Sequence, residues 1–270
     1  MRIGIIGYGN IGNLITSNII SFKLFNLENI HISNRNLSKL DDLKKQFPKI
    51  NITDSNIEIS SICDIIIIST EPSEFFDVLN EIKHSLKKNV HIIYTCAGID
   101  FKEISPIYEG NLTCLIPSIA SFPNNNVKNG VSLFVHSKNT SFENKEFIEG
   151  IFSHFSYIKT LDNFNDLEIA TILTSCSPAF FSLIVKIISK KASEVSNFSY
   201  YESMDFILKT INSSALLIQD NLLNNDEIIK KVATEKGITQ EGLDYIENNF
   251  NNFNDDLFNI LIKKFNKVEK

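Results

Sequence analysis

Three glycines at fixed spacing are the chain's clearest chemical signal. Gly7, Gly9 and Gly12 follow the apolar run Ile3, Ile5 and Ile6 and precede the helical pattern Ile11, Leu14, Ile15 and Ile19. Between a strand and a helix, a G-x-G-x-x-G run binds the pyrophosphate of a dinucleotide. Gly7 makes the tight turn, Gly9 lets the backbone approach the phosphates, and Gly12 lets the helix pack on the strand. Asn10 and Ile11 fall in the first helical turn, whose free N–H groups and dipole favour an anion. About 20 residues onward, NAD enzymes place an acid for the ribose hydroxyls. Here the chain reads Ser33-Asn34-Arg35. Arg35 offers a planar charged fork suited to a 2′-phosphate. Ser33 and Asn34 are hydrogen-bond donors beside it, and Lys39 lies one turn on. The coenzyme read from these residues is NADP(H), with NAD(H) as the alternative.

Such loops need a sheet to hold them. Apolar strands are expected near 2–6, 29–33, 64–69, 90–95, 112–116, 131–135 and 156–160. Helices are expected near 10–23, 37–46, 73–87, 102–108 and 143–154. Alternation of the two, with near-continuous apolar strands such as Ile65-Ile66-Ile67-Ile68, predicts a parallel sheet covered on both faces. After residue 162 strand signals stop and helical periodicity takes over. The fold class is therefore α/β: an N-terminal Rossmann-type doubly wound domain over 1–162, then an all-α domain over 163–270. The helix from Pro178 carries Phe180, Phe181, Ile184, Val185, Ile187 and Ile188 on more than one stripe. Burial on several sides follows, and a homodimer through the 178–196 region would supply it.

Composition narrows the partners. The net charge of −6 and the lack of a basic stripe argue against nucleic acid. Cys63, Cys96, Cys114 and Cys176 form no CxxC pair, so neither a zinc site nor a disulfide framework is expected. The N-terminus does not read as a signal peptide, and Ile65–Ile68 is too short to span a membrane. A small-molecule substrate and a cytoplasmic home are the expectation. Abundant Asn, Ile, Lys and Phe read as an AT-rich genome, and Asn124-Asn125-Asn126 as a surface loop.

The motifs together resemble the pyrroline-5-carboxylate reductase family over nearly the whole chain. The glycine run and Ser33-Asn34-Arg35 are similar to that family's start. Asp64 to Pro72 resembles its fourth-strand motif, and Ala97-Gly98-Ile99 the turn after its fifth strand. Ser175-Cys176-Ser177-Pro178-Ala179-Phe180 resembles the start of its interface helix, and Val232 to Leu243 its substrate loop. The resemblance implies reduction of a cyclic imine by hydride transfer to C=N, and dimers that often assemble further into rings. Thr70, Pro72, Ala97 and Gly98 would join the coenzyme site. Thr239 would hydrogen-bond the imine nitrogen. Backbone N–H groups of Gly237, Ile238 and Thr239 would hold the substrate carboxylate at a helix start. Thr234 or Thr239 would also serve as a helix cap.

Departures from the family pattern are local. Glu71 replaces a lysine, Ser118 an asparagine and Ser177 a glycine, and Glu235-Lys236 stands where the family has Pro-Gly. The combination of Ile116-Pro117-Ser118-Ile119, Pro178-Ala179-Phe180-Phe181 and Gly237-Ile238-Thr239-Gln240-Glu241-Gly242 looks most like the late-competence-operon (ComER-type) branch, which makes a non-catalytic or altered-substrate protein the alternative. Ser177-Pro178 is expected as a helix cap and first helical residue, with the Ser177 hydroxymethyl placed beside the nicotinamide. Cys176 reads as a small buried residue. A β-hydroxyacid dehydrogenase shares the architecture, but no Gly-x-x-x-Lys precedes Lys186, Lys190 or Lys191.

Overall fold

A computed structural model describes residues 1–124 and 127–268; Asn125 and Asn126 of the asparagine tract lie outside them. The strands are β1 (Ile3–Ile6), β2 (Ile30–Ser33), β3 (Asn51–Thr53), β4 (Ile65–Ile68), β5 (His91–Tyr94), β6 (Asn111–Pro117), β7 (Val131–His136) and β8 (Tyr157–Thr160). They form one sheet in the order β3-β2-β1-β4-β5-β6-β7-β8. Among them run α1 (Asn10–Ser21), α2 (Asp41–Gln46), α3 (Asn56–Ile62), α4 (Pro72–Ile82), α5 (Phe101–Ile104) and α6 (Phe142–Ser153).

The central strands β1, β4 and β5 are buried at every residue, as their unbroken apolar sequences require when both faces are covered. Ile5 pairs with Ile32 on one side and Ile67 on the other. Alternate side chains then feed two cores. Ile66, Ile68, Ile92 and Tyr94 enter one; Ile3, Ile5, Ile67 and Ile93 enter the other.

Two elements were not expected from the sequence. β3 has three residues, is half exposed and sits at the sheet edge, so it has little apolar signal. α3 is short and carries Asn56, Glu58, Ser60 and Ser61. One expectation is corrected: the sheet is not parallel throughout, because β6 pairs with β7 antiparallel. Among the described residues between them, the helical element is a single 3-10 turn (Ile119–Ser121), too short to carry a crossover, and the chain turns back beside itself.

The remaining helices are α7 (Phe164–Thr171), α8 (Ser177–Val195), α9 (Tyr200–Gln219), α10 (Asn225–Val232) and α11 (Ile238–Val268). By contacts the chain forms two compact units, Met1–Cys176 with the last turns of α11 from Ile262, and Ser177–Leu261. The sequence places the division at 162/163, where the strands end. α7 nevertheless belongs with the sheet, since it packs against β7 and buries Leu167 in the same core as Leu133. In the second unit α8 packs along α9.

Candidate active site

The predicted coenzyme residues gather at the C-terminal ends of β1, β2, β4 and β5, where the strand order reverses between β1 and β4. Open α/β sheets bind ligands at such a point. A cleft of about 500 Å³ opens there, lined by Gly7, Gly9, Ser33, Asn34, Arg35 and Thr70 among others. Gly7 adopts φ 95°, a left-handed conformation that favours glycine, and its N–H donates to Ser33 O at 2.9 Å. A Cβ on Gly12 would lie 2.1 Å from Gly7 O, whereas one on Gly9 would meet nothing within 4 Å. Helix α1 thus presses onto the glycine turn, and the space above Gly9 is open to a ligand.

The other predicted residues stand outside the lining. Asn10, Ile11 and Gly12 form the first turn of α1, with Gly9 as its cap and no side-chain cap bond. Ile11 packs on the core, so its contribution is its backbone. Pro72 is the first residue of α4. Ala97 and Gly98 make the turn after β5, with Gly98 at φ 80°. Cys96 Sγ donates to Thr70 O at 3.3 Å and ties that turn to the cleft.

Two observations test whether a dinucleotide fits. Among the described residues, Ser69 Oγ and Thr70 Oγ1 are buried with no hydrogen-bond partner, and both residues line the cleft. Buried hydroxyls are almost always satisfied, so these two fit a bound ligand. The open space at Gly9 fits a pyrophosphate.

The 2′-phosphate end differs from expectation. Ser33 Oγ donates its one proton to Asn56 Oδ1 at 2.7 Å, and Asn56 Nδ2 donates to Glu81 Oε2 at 2.8 Å. Asn34 Oδ1 accepts from Tyr8 N at 3.1 Å, and its Nδ2 donates to Asn36 O at 2.7 Å. Ser33 thus has no proton left to donate, and Asn34 commits its Oδ1 and one of its two Nδ2 donors to the loop. Arg35 forms an ion pair with Glu74. Sequence reasoning missed Asn56, Ser69 and the acids of α4. The spacing of Glu71, Glu74 and Glu81 along one helix face was the available signal.

The predicted substrate residues lie in the second unit. Lys236 adopts φ 62°, the left-handed conformation for which the family's glycine is suited. Gly237 N donates to Thr234 O at 2.8 Å, and Gly237 O accepts from Glu241 N at 3.2 Å. Gly237 therefore caps α11, and its own N–H is spent on the turn, contrary to the expected carboxylate contact. A Cβ there would lie 2.4 Å from Thr234 Oγ1. Ile238, which is 92% exposed, and Thr239 occupy the first turn, where N–H groups lack intrahelical partners.

Ser177 is not a helix cap, which corrects the sequence reading. A π-helical turn over Ile172–Cys176 joins α7 to α8, and the helix runs from Phe164 to Val195 without a new start. Cys176 is half-buried, and burial raises its thiol pKa, which disfavours the nucleophilic thiolate.

Comparisons with known proteins agree with this layout. Residues 2–98 match the family model described as NADP oxidoreductase coenzyme F420-dependent. Residues 165–267 match pyrroline-5-carboxylate reductase dimerisation. The chain is 45% identical to a pyrroline-5-carboxylate reductase of Methanobrevibacter smithii, over 92% of this chain and 97% of that protein. It is 24% identical to ComE operon protein 4 of Bacillus subtilis (strain 168), over 92% of this chain and 89% of that one. The Plasmodium falciparum pyrroline carboxylate reductase, solved with NADP bound, superposes with a TM-score of 0.85 at 22% identity, covering 100% of this chain and 97% of that one. At that identity the match shows the fold.

Proposed function

The chain belongs to the pyrroline-5-carboxylate reductase family, and from that premise we propose that it reduces the C=N bond of pyrroline-5-carboxylate to give proline, using NAD(P)H. The observation that carries this reading is the 45% identity to a pyrroline-5-carboxylate reductase across 92% of the chain. The cleft with its open glycine and two orphan hydroxyls supports the coenzyme assignment. The coenzyme, when bound, supplies the hydride; the protein supplies position and electrostatics.

In this reading Gly7, Gly9 and the first turn of α1, with Asn10, Ile11 and Gly12, cradle the pyrophosphate. Ser69 and Thr70 offer hydroxyls to the coenzyme. Pro72, Ala97 and Gly98 shape the backbone around it. Arg35 and Lys39 face the 2′ position. Thr239 Oγ1 donates a hydrogen bond to the imine nitrogen, so charge does not build up uncompensated as hydride arrives. The Ile238 and Thr239 N–H groups bind the substrate carboxylate, with Gly237 and Thr234 holding the turn and Ser177 beside the nicotinamide. In this reading the first compact unit, Met1–Cys176, binds the coenzyme, and the second, Ser177–Leu261, carries the substrate and dimerisation residues.

The same reading pairs two copies of the chain through α8. Phe181 is 61% exposed, and Leu183, Ile184, Ile187 and Ile188 are exposed beside it, within the segment matching the dimerisation family. The Phe164–Val195 helix is long and apolar enough to cross a membrane by length and composition. Its first half, however, packs on the sheet through Leu167 and buries Ile172, which favours a protein partner for the second half. Four free thiols suit a reducing, cytoplasmic compartment.

A second reading follows the competence-type branch, favoured by Ser118 and Glu235-Lys236: the fold and coenzyme site persist, and the substrate has changed or is absent. One assay separates the two. Purified protein is given pyrroline-5-carboxylate with NADPH or NADH, and coenzyme oxidation is followed. Turnover of about 1 per second or more is expected. Coenzyme binding without turnover favours the second reading.

A further inference from the structure

The coenzyme cleft carries more acid than base. Asp54, Glu71, Glu74, Asp77 and Glu81 line it, against Arg35 and Lys39. Glu71, Glu74, Asp77 and Glu81 recur every three or four residues at the cap and along α4, so they form one helix face. A 2′-phosphate carries close to two negative charges, and this face repels it.

The acids are not equivalent. Glu81 accepts from Asn56, which in turn accepts from Ser33; its charge is tied to the loop scaffold. Glu74 is paired with Arg35 itself. Ser33 and Asn34 already have protein partners, so Arg35 is the member of the trio whose charge a phosphate can recruit, and it must first leave Glu74. Its side chain is 82% exposed, and exposed pairs are weak, so the exchange is feasible but opposed. A coenzyme with a free 2′-hydroxyl meets no such competition, and carboxylates accept hydrogen bonds from ribose hydroxyls.

We propose that Glu74 is the coenzyme-discriminating residue of this chain: its carboxylate occupies Arg35 and brings the affinities for NADPH and NADH close together. The proposal rests on the reading that the cleft binds a nicotinamide dinucleotide.

The test is calorimetric titration of the full-length wild type, Glu74→Gln, and the double variant Glu74→Gln/Arg35→Gln with NADPH and NADH. Adenosine 2′,5′-bisphosphate and AMP serve as probes of the adenosine end alone. Glu74→Gln should tighten NADPH and the bisphosphate about three- to fivefold and leave NADH and AMP unchanged. The double variant should lose that gain, as coupled residues do in a mutant cycle. An unchanged NADPH-to-NADH ratio in Glu74→Gln overturns the proposal. So does weaker NADPH binding, which would mean that Glu74 orients Arg35 for the phosphate. Wild type that binds neither coenzyme nor either probe overturns the dinucleotide reading itself, and the proposal with it.

Discussion

Ser118 Oγ donates a hydrogen bond to Thr174 O at 2.6 Å. Thr174 stands four residues before Pro178, which has no N–H to return to that carbonyl. One residue on, Ser175 Oγ donates to Pro117 O at 3.3 Å. The end of β6 is thereby stitched to the π-helical turn that leads into α8. Such π turns are frequent at functional sites, and this one lies at the motif whose Ser177 departs from the family pattern.

Replacing Ser118 by alanine leaves the Thr174 carbonyl without this donor in a place where Ser118 is 1% exposed. The expected loss of stability is about 1–3 kcal/mol, read as a lower midpoint in urea unfolding with an unchanged slope. An unmoved midpoint would mean that another donor replaces the hydroxyl.

The two glycines after Gly7 should respond differently to alanine. At Gly12 the new Cβ meets Gly7 O at 2.1 Å, so backbone must move, and about 3 kcal/mol or more of stability should be lost. At Gly9 the space is open and the backbone is extended. Gly9→Ala should therefore fold nearly as well as wild type and lose coenzyme affinity about tenfold or more, because its methyl occupies the pyrophosphate approach. Melting curves paired with coenzyme titration check both.

Stability should fall as pH drops from about 6.5 toward 4. His91 is buried, and desolvation, followed by the neighbouring His136, lowers its pKa from the usual 6.5 to about 4. His91 Nε2 and His136 Nδ1 share the Thr113 hydroxyl at 2.7 and 2.8 Å, and His136 Nε2 contacts Glu149. In this window the unfolded chain binds more protons than the folded one, so stability rises with pH. The full effect for His91 is on the order of 3 kcal/mol, all of it present above pH 6.5. His91→Gln should flatten the curve over that window. An identical pH slope in the variant would exclude His91 as the cause.

Lys236 holds a left-handed backbone at φ 62°, which costs a non-glycine residue roughly 1 kcal/mol. Lys236→Gly should relieve most of that strain and raise the melting temperature slightly. Combined with Glu235→Pro, it should raise turnover of pyrroline-5-carboxylate, since a carboxylate substrate no longer meets Glu235. Flat turnover in the double variant would show that this loop does not limit the reaction.

Phe181, Ile184 and Ile188 recur three and four residues apart on one face of α8, all exposed. Ile184→Glu in the middle of that stripe should convert a dimer to a monomer in light scattering while leaving the helical circular dichroism signal in place. A dimer that survives the charge would move the interface to another face.

Local sequence determined much of this protein. Gly7, Gly9 and Gly12 announce their turn because the whole pattern falls within one short stretch between a strand and a helix. Runs such as Ile65–Ile68 announce buried strands because burial on both faces leaves no polar alternation. The change to helical periodicity after residue 162 is likewise written in spacing. Tertiary structure decided what depends on distant partners. Arg35 reads as a free phosphate fork until Glu74, 39 residues away, lies beside it. Ser33 reads as a donor until Asn56 takes its proton. β7 reads as one more parallel strand until its pairing with β6 proves antiparallel. Ser177 reads as a cap until a π turn carries the helix through it. For Arg35 and Ser33 the deciding interaction joins groups far apart in the chain, and only folding brings those charges and hydrogen-bonding atoms within reach of one another.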